Sequence, residues 1–507
     1  MTYENSTTQA LEQLDTFEQL RFALNYAITT IVTNGEISDP PLATEPRGEA
    51  LATLETELHK LMCAPEIASV LDTLTEAAEQ GLLDERRQAQ LRIVKRDRAE
   101  FLDLPADEAA DFARLTNEAT QVWMRAKRNN DWASFEPFLE RIVESMKRLA
   151  AYKNASADPY DVWLNEYEYG STRPMYDQLF SDIKDCVVPL VADIQKKGWQ
   201  PSRACLEGHY AHDAQMAFAH DLLVLEGLNM DALVVAESEH PFSEGLVSQC
   251  GYVTTHVNEN DVVSSLYSVL HEGGHASYSQ GVNPELDYCS LGGGSSMGIH
   301  ESQSRFFENY VGRNEAFVPH LLALLEKHFP GHFAQVDPHD FFLAVNRAEP
   351  SLIRTEADEL TYPLHVLIRY EIEQLVFSGE AQVSDIPRLW SERYKSYLGV
   401  DVPDVSSGPL QDMHWSDGMF GYFPTYVLGS AYGTQFLDAM KSDGVDFDGL
   451  VARGDLAPIR AWLGEKIWQH GRSKDPAQLV LDATGSAFDS SHYTRYLEQK
   501  FSSIYNL

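Results

Sequence analysis

The residues best spaced for chemistry stand in Leu270-His271-Glu272-Gly273-Gly274-His275-Ala276, an H-E-x-x-H at the end of a helical run that starts near Asn260. A helix turns by about 100° per residue, so His271 and His275 fall roughly 40° apart on one face and their imidazoles can converge on a single ion. Glu272 borders that face, where its carboxylate can take a proton from a metal-held water rather than ligate. Water held by a zinc dication approaches a pKa of roughly 7, which brings hydroxide within reach near neutrality. A plain surface helix with two solvated histidines would show the same apolar stripe of Val262, Leu266 and Val269. Gly273 and Gly274 weigh against it, since each costs about 1 kcal/mol relative to Ala inside a helix. Such a defect is expected where something approaches the backbone closely.

A catalytic zinc takes three protein ligands and keeps one position open. The longer pattern H-E-x-x-H-x-x-G-x-x-H is absent, because Tyr278 and Gly281 stand where its Gly and last His would be. The third ligand must come from farther on. Glu301 lies in Gly298-Ile299-His300-Glu301-Ser302-Gln303-Ser304-Arg305, which opens a new helical pattern with Phe306, Phe307 and Tyr310. A carboxylate from that second helix completes a His-His-Glu set, and the Gly-, Pro- and Ser-rich residues 281–298 serve as the connection.

The elements that must carry these residues are mostly helices. In 109–128 the apolar positions Phe112, Leu115, Ala119, Val122, Trp123 and Ala126 recur at steps of three and four behind a start signal at Pro105. Similar stripes run through 49–61, 136–151 and 176–195, broken by clusters such as Asp39-Pro40-Pro41 and Lys196-Lys197-Gly198, and read as antiparallel helices. The clearest β-like stretch is 251–257, bounded by Asn258 and by the turn-rich 241–245. With no repeat or long linker, these patterns predict one large, mainly α unit over residues 1–507, long enough to divide into lobes.

Composition narrows the function classes. The 507 residues carry 39 Lys and Arg against 77 Asp and Glu, a formal net charge of −38, yet 44% of the chain is hydrophobic. The chain therefore folds, and its negative field repels phosphate backbones and anionic lipid, which excludes nucleic acid and membrane surfaces as expected partners. Cys63, Cys186, Cys205, Cys250 and Cys289 are odd in number and widely spaced, the pattern of reduced, mostly buried thiols. Residues 1–20 contain Glu4, Glu12, Asp15 and Glu18 and no apolar segment of a secretory signal. No apolar run approaches the ~18 residues of a membrane span, and a cytoplasmic location is expected.

The two metal-site segments together resemble the carboxypeptidase Taq family of metallocarboxypeptidases. His240-Pro241-Phe242 is similar to its H-P-F, Ile353-Arg354-Thr355-Glu356-Ala357-Asp358 to its I-R-x-x-A-D, and Gly408-Pro409-Leu410-Gln411-Asp412-Met413-His414-Trp415 to its G-x-x-Q-D-x-H-W. The last continues into Phe420-Gly421-Tyr422-Phe423-Pro424-Thr425-Tyr426, and the likeness runs from Trp123 to the C-terminus, with a looser match before it. The resemblance implies a mainly α fold: a large helical metallopeptidase with a deep active-site groove, a small β element near the site, and often a homodimer. It implies release of single residues from peptide C-termini with broad side-chain preference. Carried over by position, His271, His275 and Glu301 would bind Zn2+, or Co2+ in some members, and Glu272 would be the general base. Arg354 would hold the substrate's terminal carboxylate, for which a guanidinium fork is suited. His240, His414 and Tyr422 would stabilise the oxyanion or hold the peptide substrate.

One departure stands out. The family carries D-x-R-x-T after H-P-F, whereas this chain reads Cys250-Gly251-Tyr252-Val253-Thr254 and keeps only the Thr. Hydrolysis is expected to survive with altered substrate range or efficiency. The alternatives left open are a related endo-oligopeptidase or dipeptidyl carboxypeptidase, and a non-catalytic, metal-stabilised peptide-binding relative.

Overall fold

Amphipathic stripes need partners, and in the computed structural model, which describes residues 3–38 and 40–507, helices supply nearly all of them to one another. Among the described residues there are twenty α-helices and a single three-stranded sheet. The stripes read in sequence fall within Thr44–Cys63, Ala106–Asn129, Trp132–Asn154 and Arg173–Lys197. Pro105 caps the second of these, and Gly198, in the left-handed region at φ 70°, ends the last. Of the breaker at 39–41, Asp39 lies outside the described residues.

Two apolar clusters organise the chain. Helices α1 (Tyr3–Ser38), α2 (Thr44–Cys63), α3 (Pro65–Glu79) and α4 (Glu85–Leu102) enclose a small core of Leu14, Phe17, Ile67, Leu71, Leu74 and Val94. All remaining helices share a much larger core, which also receives Ala89 and Ile93 of α4. The seam between them also carries buried polar contacts. Buried Asp97 accepts from Arg21 of α1 at 2.8 Å and from Arg472 at 2.7 and 2.9 Å. Glu18 accepts from the backbone and hydroxyl of Ser290 at 3.0 and 2.6 Å.

The sheet has the order β1-β3-β2, with β1 (Leu233–Glu237) parallel and β2 (Ser243–Val247) antiparallel to β3 (Cys250–Thr255). Two sequence expectations are corrected here. The turn-rich 241–245 is not wholly a boundary, because Ser243 onward pairs with Val253 and Tyr252, and the strand read as 251–257 ends at Thr255. Thr254, the one family residue kept, ties H-P-F to the sheet: its hydroxyl accepts from Ser238 at 2.6 Å and from the Phe242 backbone at 2.8 Å. Cys250 and Tyr252 turn toward α1 instead, where the Tyr26 hydroxyl donates to the Cys250 Sγ at 3.9 Å. All five cysteines are free but half-buried, more open than expected. No described helix is long and apolar enough to cross a membrane.

The helices that carry His271, His275 and Glu301 pack through missing side chains. A Cβ on Gly273 would fall 2.7 Å from the Glu226 carboxyl carbon, and one on Gly274 would fall 2.6 Å from the Ser304 Cα. The paired glycines thus admit a neighbour on each of two sides, and the second neighbour is the backbone of the Glu301 helix. Opposite, Gly429 lies against the Glu301 stem, where a Cβ would meet its Cβ at 2.6 Å. Gly274→Ala is expected to lower stability by about 1–3 kcal/mol through overpacking, read as a fall in the thermal midpoint with and without added metal.

Candidate metal centre

The helix Val262–Gly281 starts on Asp261, whose carboxylate accepts from the Val263 and Ser264 backbones at 3.1 and 3.2 Å. It ends by presenting His271 and His275 on one face, their ring centroids 5.0 Å apart. The helix Met297–Arg305 is capped by Ser296, and buried Glu168 accepts from Ser296 Oγ at 3.0 Å and from the Gly298 backbone at 2.8 Å. Burial pushes the Glu168 carboxyl up to about 7. From Phe306 the chain continues as a π-helix through Gly312.

Between the two helices Glu301 Oε2 stands 3.5 Å from His271 Nε2 and 3.4 Å from His275 Nε2, and the three ligand atoms lie within 4.8 Å of one another. A tetrahedral zinc with bonds of about 2.0–2.1 Å spaces its ligand atoms by roughly 3.4 Å, so the triad has the dimensions for such an ion. The remaining polar atoms of the triad are engaged so as to leave the inner ones free. His271 Nδ1 donates to Glu308 Oε2 at 3.0 Å. His275 Nδ1 meets His300 Nδ1 at 2.7 Å, and burial together with His275 drives His300 down to about 3. A neutral His300 accepts the His275 proton, which leaves the His275 Nε2 lone pair toward Glu301.

Glu301 Oε1 accepts from Arg305 Nε at 2.8 Å. Burial alone would raise this carboxyl, but Arg305, His271 and His275 outweigh it and hold it far below the usual range. Glu308 likewise sits at about 2, because Arg305, His271 and Arg313 overcome its burial. Both carboxylates are therefore charged before any ion arrives. Glu272, 8% exposed, follows His271 directly on the same helix.

Buried Arg354 donates from Nη2 and Nε to Asp412 Oδ1 at 3.0 and 3.2 Å and from Nη1 to the Tyr362 hydroxyl at 3.2 Å. The same aspartate takes Arg369 on its other oxygen, Nε at 2.8 Å and Nη2 at 2.5 Å. Two guanidiniums against one carboxylate leave an excess positive charge in a desolvated place, and Arg354 has more donors than these partners use. A short chain of contacts joins it to the triad, since the Arg305 guanidinium lies 4.9 Å from the centroid of the Tyr362 ring.

His414 stacks near Phe423 and Tyr422, at 4.5 and 5.5 Å between centroids. Its Nδ1 is buried with no hydrogen-bond partner among the described residues, and burial and Arg354 lower it to about 4, which keeps it neutral at physiological pH. Tyr422 packs edge-on against Tyr167 and Tyr426, and burial, with a contribution from nearby Glu301, raises its hydroxyl. His240 is exposed, and its carbonyl accepts from Ser238 Oγ at 2.7 Å. A cavity of about 740 Å³ opens beside His300 and Tyr167 and extends under α4 to Arg96 and Arg472.

Arg305 and Glu308 escaped the sequence reading, although they follow Glu301 at i+4 and i+7 in an acid-base-acid stripe that helical spacing alone would have shown. Asp412, Arg369 and Tyr362 gave no such sign, because their meeting depends on segments far apart in the chain.

Comparisons with known proteins identify the family. The family described as "Carboxypeptidase Taq (M32) metallopeptidase" matches residues 9–501. The chain is 34% identical over 506 residues to "Carboxypeptidase 1" of Bacillus subtilis, covering 100% of this chain and 99% of the relative. It is 35% identical over 485 residues to "Thermostable carboxypeptidase 1" of Thermus thermophilus, with 92% and 93% covered. The crystal structure of the M32 carboxypeptidase from Deinococcus radiodurans superposes with a TM-score of 0.95 at 30% identity, over 98% of this chain and 100% of that one. The chain accordingly belongs to the carboxypeptidase Taq (M32) family, and it is a metallocarboxypeptidase.

Proposed function

We propose that this protein releases single amino acids from peptide C-termini with broad side-chain preference, using Zn2+, or Co2+ as in some relatives, held by His271, His275 and Glu301. The observation that carries the reading is the contact chain Glu301–Arg305–Tyr362–Arg354, which sets a partly unneutralised guanidinium a few side chains from the triad. An exopeptidase must recognise a chain end, and Arg354 offers its remaining N–H groups to the terminal carboxylate. A divalent ion in the triad would polarise the scissile carbonyl and acidify water. Glu272 takes the proton of the attacking water and returns it to the leaving amine. His414 and Tyr422 offer neutral polar groups to the developing oxyanion or to the substrate backbone. His240, which is exposed, serves as a contact for the incoming chain.

The family likeness further supports action on peptides and a homodimer, and the proposal sets it in the cytoplasm with residues 1–507 forming one catalytic unit. Glu308→Gln is expected to weaken metal binding about 10–100-fold, because the carboxylate orienting a ligand histidine is lost; competition against a chelating dye measures it. The reading as a whole is tested by metal quantitation together with mass-spectrometric ladders of an incubated peptide and its C-terminal amide. Loss of one residue at a time from the free acid alone supports it. Steps of two residues, or cleavage of the amide, would replace it.

A further inference from the structure

We infer that Arg369 and Glu373, which belong to neither the metal triad nor the chain-end clamp, are positioning residues that brace the segment 411–423 at its two ends and divide the work between substrate affinity and turnover. The inference rests on the function proposed above.

Both residues lie on the helix Tyr362–Ser378, whose own Leu364, Val366, Ile368 and Ile372 are buried, and both are 0% exposed. Charges buried so deeply cost several kcal/mol unless they are fully paired. One turn apart, they would be expected to pair with each other, yet no ion pair joins them among the described residues. Each instead reaches a different end of the same loop. Arg369 Nη2 donates to Gln411 Oε1 at 2.9 Å, beside its two bonds to Asp412, while Nη1 returns to the His365 carbonyl at 2.6 Å. Glu373 Oε1 accepts from Trp415 Nε1 at 2.7 Å, and Oε2 accepts from the Gly421 backbone and the Tyr160 hydroxyl, each at 2.9 Å.

The braced segment has turns but no helix or strand of its own before Pro424, so no regular hydrogen-bond ladder sets its shape. Inside it, Trp415 stacks on Phe420 with rings 6° from parallel, and Gly418 and Gly421 take φ of +76° and +81°. The gripped positions adjoin the functional ones: Asp412 holds Arg354, Trp415 follows His414, and Gly421 precedes Tyr422. Arg369 therefore has an electrostatic task as well as a steric one. Alone with Asp412, Arg354 would be neutralised one to one. Because Arg369 shares the aspartate, positive charge remains for the substrate carboxylate. Glu373 holds the other end, where His414 and Tyr422 address the reacting carbonyl, and burial raises its own carboxyl to about 7.

The two residues should consequently fail in different kinetic terms. Arg369→Gln is expected to raise KM for free-acid peptides about tenfold, with kcat within about twofold, and Arg369→Lys, which restores the charge, to recover part of the loss. Glu373→Gln is expected to lower kcat about tenfold, with KM within about twofold. Trp415→Phe removes only the indole donor and keeps the stacked ring, so it should shift kcat the same way by a smaller factor. Should the Gln variants not fold, Arg369→Lys and Trp415→Phe decide by the same split. Parallel changes in KM and kcat, or none in folded variants, would overturn the assignment. A wild type that shortens no peptide would instead remove the function on which it rests, and this inference with it.

Discussion

Glu272→Gln is expected to lower kcat by about a hundred- to ten-thousandfold and to leave the metal content of the protein unchanged. The amide has the shape of the carboxylate but cannot take the proton of the attacking water. Glu272 flanks the ligand face instead of belonging to it: the atoms that converge are those of His271, His275 and Glu301. Glutamine at 272 therefore leaves the triad intact, together with the Glu308 and His300 contacts behind it. Metal analysis beside steady-state kinetics makes the test, and a variant with wild-type turnover would sink Glu272 as the base. A variant that loses both activity and metal would show that the carboxylate supports the site in some other way.

The second large effect concerns the chain end. Arg354→Gln is expected to reduce kcat/KM by about a hundred- to ten-thousandfold, since a charge-assisted hydrogen bond contributes roughly 1.5–3 kcal/mol and the fork supplies two. Most of the loss should appear in KM. The fold should tolerate the change, because Asp412 keeps Arg369 at 2.5 and 2.8 Å and no buried charge is orphaned. The diagnostic readout is the ratio of rates on a peptide acid and its amide, which should collapse toward unity only in the variant. An undiminished preference for the acid would place the carboxylate elsewhere.

The chain's departure from its family can now be placed. Thr254 is kept where it ties the H-P-F segment to β3, a local structural task. Cys250 and Tyr252, which replace the acid and the arginine, stand on the same strand but face Tyr26 of α1. The change therefore falls on the contact between α1 and β3.

The sequence by itself determined the periodic elements and the pair of histidines. Helical stripes, Pro105 as a cap and Gly198 as a stop are local preferences, and the i, i+4 placement of His271 and His275 follows from the pitch of one helix. The close approach marked by Gly273 and Gly274 was also legible, because a helix does not carry two such residues without a reason. Which neighbour approaches was not: Glu226 and the backbone of Ser304 arrive from other parts of the chain. Only the tertiary structure decided that Arg354 and Arg369 share Asp412 and that Glu373 holds Trp415 and Gly421. Spacing along the chain encodes one helix face. The charge left on a buried guanidinium depends on how many carboxylates the packing brings to it, and that number belongs to the assembled core.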